Sequence, residues 1–375
     1  MIKTFKYRLY PSKRQAEALT FHLAEACRLY NAALQERRDA YEIERKSISF
    51  YDQSKQLKDI RAAGDIGIAN FTCARDALQR ADRAFAAFFR RVKGGQTPGF
   101  PRFKSFRRYD SITFTNGYRL LPSGRLRLQG IGETKLKLHR TIGGVIKTAT
   151  VKRDAGKWYV CFNVECKSET IARSSETIGL DLGASPIFAT LSDGSKVRNP
   201  QCYRKAEKRL RIAQRKVSRR KKGSNGRRKA VLLLQRAHAH VRNQRADFHH
   251  KLSRSLVNRF GLIAIEDMKP SPSLTTGFTA KPVYDAGWGL FIQKLTYKAE
   301  SAGRVLAKVD PGGTSQTCLC GFAVSKAVWK RWHSCPSCGL RAPRDQVSAK
   351  LILALGLSVV GSTWPIAACV PAEAL

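Results

Sequence analysis

The stretch Ile178-Gly179-Leu180-Asp181-Leu182-Gly183 decides how the chain is read, because one acid stands inside a run otherwise apolar enough to be a buried strand. Burying an ionised carboxylate costs several kcal/mol unless a cation or hydrogen bonds compensate. Ile187 to Leu191, turned at Ser192-Asp193-Gly194, suits a hairpin partner for it. Gly261 to Ile265 reads as a second fully buried strand and ends in Glu266 and Asp267. Successive strand side chains face opposite ways, so only one of these acids can share a face with the strand's end; Glu266 is expected at the site and Asp267 as a cap. A closing helix over Val347 to Leu357 opens on Arg344-Asp345. The order strand-Asp, hairpin, basic helices, strand-Glu and helix-Asp singles out Asp181, Glu266 and Asp345. Three such acids suit Mg²⁺ or Mn²⁺, and two ions about 3.5–4 Å apart can stabilise both the attacking and the leaving oxygen of a phosphodiester.

Between the first two acids lies the densest charge of the chain. Residues 204 to 229 hold fourteen Lys or Arg and a single acid, Glu207, and a long helix stripe follows at Leu234, Val241, Phe248, Leu252 and Leu256. Over all 375 residues, 69 Lys plus Arg face 28 acids, a net charge of +41. That excess repels itself unless an anionic partner offsets it, so nucleic acid is expected and a merely solvated surface is not enough. Arg215, Arg219, Arg220, Lys221, Lys222, Arg227 and Arg228 are the expected phosphate contacts. No membrane is expected as a partner: the start MIKTFKYRLY interleaves charges with apolar residues, and Leu351 to Val360 is too short for a span of about 20 residues. Six scattered cysteines fit reduced thiols in the cytoplasm. Histidines 238 and 240 fall about 200° apart on a helix and cannot share one metal.

Upstream, Ile2 to Leu9 alternates as a strand with a basic face carrying Lys6 and Arg8, both candidate nucleic-acid contacts. Helical periodicity runs from Gln15 through Ala33 and again from about Phe71 to Arg91. After the turn residues Thr97 to Pro101 the period becomes two, at Ile112 to Phe114, Leu126 to Leu128, Thr148 to Val151 and Trp158 to Val164. The expected organisation is a β module over 1–172, helical over about 12–95, then an α/β core over 173–310, a cysteine insertion over 311–340, a last core helix over 341–360 and a tail over 361–375. In the insertion, Cys318, Cys320, Cys335 and Cys338 form two close pairs, each followed by glycine, which suits structural Zn²⁺ in a ribbon; the first pair is one residue short, and His333 is an alternative ligand.

FKYRLYPSKRQ, CRLYNAAL, PGFPRFKS, IGLDLG with ATLSDG, AIEDM, DAGWG, TSQTC and CPSCG occur in that order along nearly the whole chain. In this succession the chain resembles the OrfB/TnpB family of insertion-sequence proteins, relatives of the type V CRISPR effectors. The resemblance implies an α/β fold with a RuvC/RNase H-like nuclease core and an inserted zinc ribbon, preceded by a β-barrel-like wedge domain carrying a helical recognition block. It places the catalytic acids on Asp181, Glu266 and Asp345. It further implies a guide RNA from the transposon end, a double-stranded DNA target with a short adjacent motif, Mg²⁺-dependent cutting, and a bacterial cytoplasmic location, with the nucleoid when DNA is bound. The family writes the last motif Asp-Arg-Asp-x-Asn-Ala-Ala, whereas Pro343 and Val347 stand here for the first Asp and the Asn. The alternative is therefore a nuclease-inactive DNA-binding protein or repressor of the same family.

Overall fold

The computed structural model describes residues 1–361 except 168–171, 173, 269–276 and 328. The expected tail, and Cys369 within it, thus lies past Gly361 outside the described residues. Two compact units are present, Met1–Lys167 and Ser168–Leu375.

The first unit is built on one antiparallel sheet of seven strands: β1 (Ile2–Tyr10), β2 (Ser111–Phe114), β3 (Tyr118–Leu120), β4 (Arg125–Leu128), β5 (Gly132–Lys137), β6 (Val145–Asp154) and β7 (Lys157–Glu165), in the order β2-β6-β7-β1-β5-β4-β3. Alternation makes it two-faced: Tyr7, Leu9, Val160 and Phe162 are fully buried, while Lys6 lies on the exposed side. The β6–β7 hairpin turns through Ala155 and Gly156, both at positive φ (49° and 74°), the twist that matches two right-twisted strands. Tyr118 on the edge strand β3 donates to the Ile146 carbonyl of β6 at 3.1 Å, so the sheet curls; among the described residues no ladder joins β2 to β3.

Three helices enter between β1 and β2: α1 (Lys13–Glu44), α2 (Phe50–Ala62) and α3 (Phe71–Lys93). α1 starts in a capping box, Ser12 accepting from Gln15 N while Gln15 returns the bond. The sequence reading held α2 within the helical block 12–95 but gave it no bounds of its own, because it buries only Gln53 and Leu57 and so shows no apolar stripe. β3 and β5 escaped it for the same reason, being short with few buried apolar residues.

The second unit centres on a five-stranded sheet in the order β10-β9-β8-β11-β12, from β8 (Thr177–Leu182), β9 (Ile187–Leu191), β10 (Lys196–Arg198), β11 (Leu262–Glu266) and β12 (Val305–Val309). β9 is antiparallel to β8 and β10, and β11 is parallel to β8 and β12. Among the described residues, four helices follow β10 or β11: α4 (Cys202–Ser218), α5 (Asn225–Arg259), α6 (Gly277–Ala286) and α7 (Trp288–Ser301). Leu256, Val257, Phe291 and Leu295 of α5 and α7 pack on Leu180, Ile263 and Ile265. On the opposite face α8 (Arg344–Val360) covers Leu262 and Ala264. Between β12 and α8 run the cysteine segment and the short pair β13 (Trp332–Ser334) and β14 (Arg341–Pro343). α4 and α5 form a helical hairpin, and the Asp285 carboxylate accepts from Tyr203 N (2.8 Å) and Arg204 N (3.3 Å) where α4 lacks a side-chain cap of its own.

Candidate active site and cysteine cluster

Alternation along two neighbouring strands turns two acids to one face. On β8, Ile178, Leu180 and Leu182 enter the core toward α5 and α7, which leaves Gly179 and Asp181 facing α8. On β11, Ile263 and Ile265 do the same, and Ala264 faces α8 with Glu266 two residues on. The parallel register pairs Ile265 with Leu180, so Glu266 comes beside Asp181. α8 lies close to β8 only because Gly179 has no side chain: a Cβ there would stand 2.1 Å from the Ala349 carbonyl oxygen. Asp345 sits one turn before Ala349 on the same side of α8, which carries the third acid toward the first two.

Asp181 feels the other two acids. Burial, then the charges of Glu266 and Asp345, push the Asp181 carboxyl up to about 7, with the Arg344 guanidinium acting in the opposite sense. Burial also raises Glu266, and the hydroxyl of buried Thr314, which donates to its Oε1, offsets part of that. Asp345 pairs with Arg344 at 3.0 Å. Asp267 lies 3.9 Å from Lys308, and the segment it was expected to cap begins among residues 269–276, outside the described residues. Behind the end of β8, the Trp288 indole N–H donates to the Gly183 carbonyl at 3.0 Å and fixes the backbone two residues past Asp181. Gly179 and Thr314 are positions at this candidate site that sequence reasoning missed. The signal for Thr314 was its place in TSQTC, four residues before Cys318.

Among the described residues, the one group of three or more metal-ligating side chains whose ligand atoms all lie within 4.8 Å is Cys318, Cys320, Cys335 and Cys338. Cys318 and Cys338 sulfurs are 3.6 Å apart, and Cys320 and Cys335 sulfurs 3.7 Å. Four thiolates at about 2.3 Å from a tetrahedral zinc stand about 3.8 Å apart, so the donor set fits that ion. Both turns close on glycine at positive φ, Gly321 and Gly339. The short first pair is accommodated because Gly321 N donates to Cys318 O and Cys318 N to Phe322 O. Backbone amides of Cys338 and Ser337 lower the Cys335 thiol toward the thiolate that binds metal, whereas burial pushes the Cys318 thiol up to about 12. His333 is fully buried with Nδ1 against Lys326 Nζ, and stands outside the cluster.

The expected phosphate contacts fall in separate places. Arg219, Arg220, Lys221 and Lys222 are exposed at the tip of the α4–α5 hairpin, with Arg215 on α4 and Arg228 on α5 also exposed. Arg227 instead donates to Val217 O and Arg220 O, and so caps α4. In the first unit, Lys6 lies 4.1 Å from the Tyr159 ring centroid and 3.5 Å from Asp154, while Arg8 donates to Trp158 O at 3.0 Å. No helix among the described residues is long and apolar enough to cross a membrane.

Three family models match the chain. They are described as "Probable transposase" of the OrfB/IS605 type over residues 159–271, "Cas12f1-like, TNB domain" over 288–352, and "Helix-turn-helix domain" over 1–46, where this chain forms one strand and one helix. A "Putative RNA-guided DNA endonuclease" of Streptomyces pristinaespiralis is 32% identical over 366 residues, spanning 95% of this chain and 90% of its own. The Escherichia coli K12 protein "Putative RNA-guided DNA endonuclease InsQ" is 29% identical, spanning 96% of this chain and 93% of its own. Among solved structures, the Cas12f1 chain of a cryo-EM complex with single-guide RNA and target DNA superposes with a TM-score of 0.60 at 13% identity, over 95% of this chain and 99% of that one, a likeness of fold.

Proposed function

The chain belongs to the OrfB/TnpB family of insertion-sequence proteins, related to the type V CRISPR effectors, and from that premise we propose that it is a transposon-encoded, RNA-guided DNA endonuclease with a RuvC/RNase H-like core. The observation that carries the cutting site is that Asp181, beside Glu266 on the neighbouring strand and facing the helix that bears Asp345, has its carboxyl held near 7 by burial and by the charges of those two acids. Such a cluster is short of positive charge, and carboxylate oxygens in this number are what Mg²⁺ or Mn²⁺ prefer. When bound, the ion supplies the charge that activates an attacking water and stabilises the oxygen leaving phosphorus.

In this reading Asp181 and Glu266, fixed on adjacent strands, are rigid ligands. Thr314 orients the Glu266 carboxylate, and Asp345 closes the set from α8 with Arg344 beside it. Cys318, Cys320, Cys335 and Cys338 hold a structural zinc. The partners are a guide RNA from the transposon end and double-stranded DNA bearing a short adjacent motif. Pairing with the guide reads sequence, and a diffuse positive surface holds the backbones, which suits a charge of +41 with cations at the α4–α5 tip and on β1.

The test is to express the chain with its flanking DNA, sequence the RNA that copurifies, and offer a matching plasmid with Mg²⁺ or with EDTA. Cutting that needs Mg²⁺ and the match is expected. Guided binding without a cut would leave the nuclease-inactive reading, for which the Arg344 pairing of Asp345 speaks.

A further inference from the structure

One run of the first unit has no part in the site above: Phe100-Pro101-Arg102-Phe103-Lys104-Ser105-Phe106-Arg107-Arg108. It forms neither helix nor strand, and its three phenylalanines are 48%, 49% and 48% exposed. Half-exposed rings at every third position are costly in water and mark a surface that something covers. The run is nevertheless pinned. Pro101 and Tyr109 are buried; Asn31 accepts from Lys104 N at 2.9 Å and donates to Lys104 O at 2.8 Å; and Arg91 donates to Gly99 O at 3.0 Å. Lys104 Nζ is spent on the Tyr30 ring, 4.4 Å from its centroid. Arg102, Arg107 and Arg108 are exposed and make no ion pair among the described residues.

Beside the run, Phe100 meets Phe85 and Phe88 edge to face, with centroids 5.7 Å and 5.5 Å away. These rings, with Phe89 and Arg37, line a cavity of about 360 Å³. Arg37 is nearly buried and bonds Gln53 and Asp82, but its Nη2 has no partner. Rigid aromatic faces interleaved with free guanidinium groups match a polyanion whose bases are unpaired: the rings stack on any base, and the arginines hold the phosphates. Four cations and no acid in these nine residues suit the single-sign charge of a phosphate backbone better than the mixed charges of a protein surface.

We propose that residues 100–108, with the Phe85–Phe88–Phe89 cavity, form a stacking site for unpaired nucleobases of a single-stranded nucleic acid. This extends the nucleic-acid side of the proposed function and is independent of cutting, so a chain that never cleaves could still carry the site. The experiment uses the full chain freed of copurified nucleic acid, with end-labelled twelve-nucleotide oligouridylate and oligothymidylate and a twelve-base-pair duplex as probes. Because both rings are exposed, Phe103→Ala/Phe106→Ala should fold as the parent does. It should lose at least about tenfold in single-strand affinity, at an unchanged salt slope, with duplex affinity unaltered. Phe103→Trp/Phe106→Trp should retain binding, and whichever oligomer loses more identifies the strand as RNA or DNA. Equal losses for single strand and duplex, or no loss for either single strand, would overturn the proposal. So would a parent chain that sediments as a dimer and becomes monomeric in the alanine variant with its oligomer affinity intact, since the rings would then be a protein interface.

Discussion

The two polar clusters of the second unit are assembled in opposite ways. Four cysteines within 21 residues of chain are gathered by two glycine-closed turns, and their sulfurs already stand at the spacing of a tetrahedral ion. The acids come from positions 181, 266 and 345, and no local turn could gather them. Their meeting depends on a parallel β8–β11 register and on a helix lying against a glycine. The cysteine site is therefore local in origin and would fail locally. The proposed carboxylate site is a product of tertiary packing, so residues that would never touch its ligand should be able to break it.

The largest effect should come from Asp181→Ala. Losing a ligand that helps bring several kcal/mol of charge stabilisation to the transition state should slow cutting of a matched plasmid by on the order of 10³-fold or more. RNA should still copurify in the parent's amount, and zinc content by mass spectrometry should not change, because the cysteines do not depend on the sheet. Cleavage within about tenfold of the parent would move the active site elsewhere.

The dependence on packing is exposed next by Gly179→Val, which alters no ligand. The added carbons meet the Ala349 carbonyl and Leu353, so α8 must lift. Overpacking of about 1–3 kcal/mol should lower the unit's Tm by roughly 2–10 °C. Moving Asp345 by about 1 Å should cost cutting on the order of 10²-fold. Zinc content should again hold. A variant that cuts like the parent would show that α8 does not set the site.

How much of this could be read from the sequence follows the same divide. The cysteine pairs are a spacing signal and were legible outright, though the one-residue gap at Leu319 left His333 as a rival ligand until its burial beside Lys326 removed it. Buried strands 178–183 and 261–265 were legible because both are strongly apolar runs, the first broken only by Asp181. The reason for Gly179 was not legible, since nothing local tells which helix will cross that strand. α2 was not resolved within the helical block 12–95 because it buries two residues only, and Arg227, counted among the phosphate contacts, also caps α4. Thr314 is the clearest case: it lies four residues from the cysteine cluster in sequence, yet its hydroxyl serves Glu266.

That bond offers a finer break. Thr314→Val removes the donor and keeps the shape, leaving the buried Glu266 carboxylate with less to hold its charge and orientation. Loss of such an outer contact should weaken metal affinity about tenfold, read as Mn²⁺ binding by calorimetry and as the Mg²⁺ concentration for half-maximal cutting. Thr314→Ser, which restores the hydroxyl, should recover most of it. If Val and Ser both bind like the parent, the hydroxyl contributes only packing.

The smallest effect is also the most specific to the acids. Without metal the fold holds the Asp181 carboxyl near 7 against an ordinary value of 3.8, so it is the protonated form that the folded chain favours. Its contribution to stability is then complete below about pH 4 and is lost as the pH rises through about 7. In EDTA the Tm should fall across that window in the parent, and less steeply in Asp181→Asn. Metal binding needs the ionised form, so the sign reverses for activity. With half the carboxyls ionised at about pH 7 and about a tenth at pH 6, cutting at subsaturating Mg²⁺ should drop about fivefold between them. Saturating Mg²⁺ should remove that drop, because the ion competes with the proton for the same oxygens. A fivefold loss that persisted at saturation would place the titrating group outside the three acids, in the guide-bound complex or in the cysteine turns.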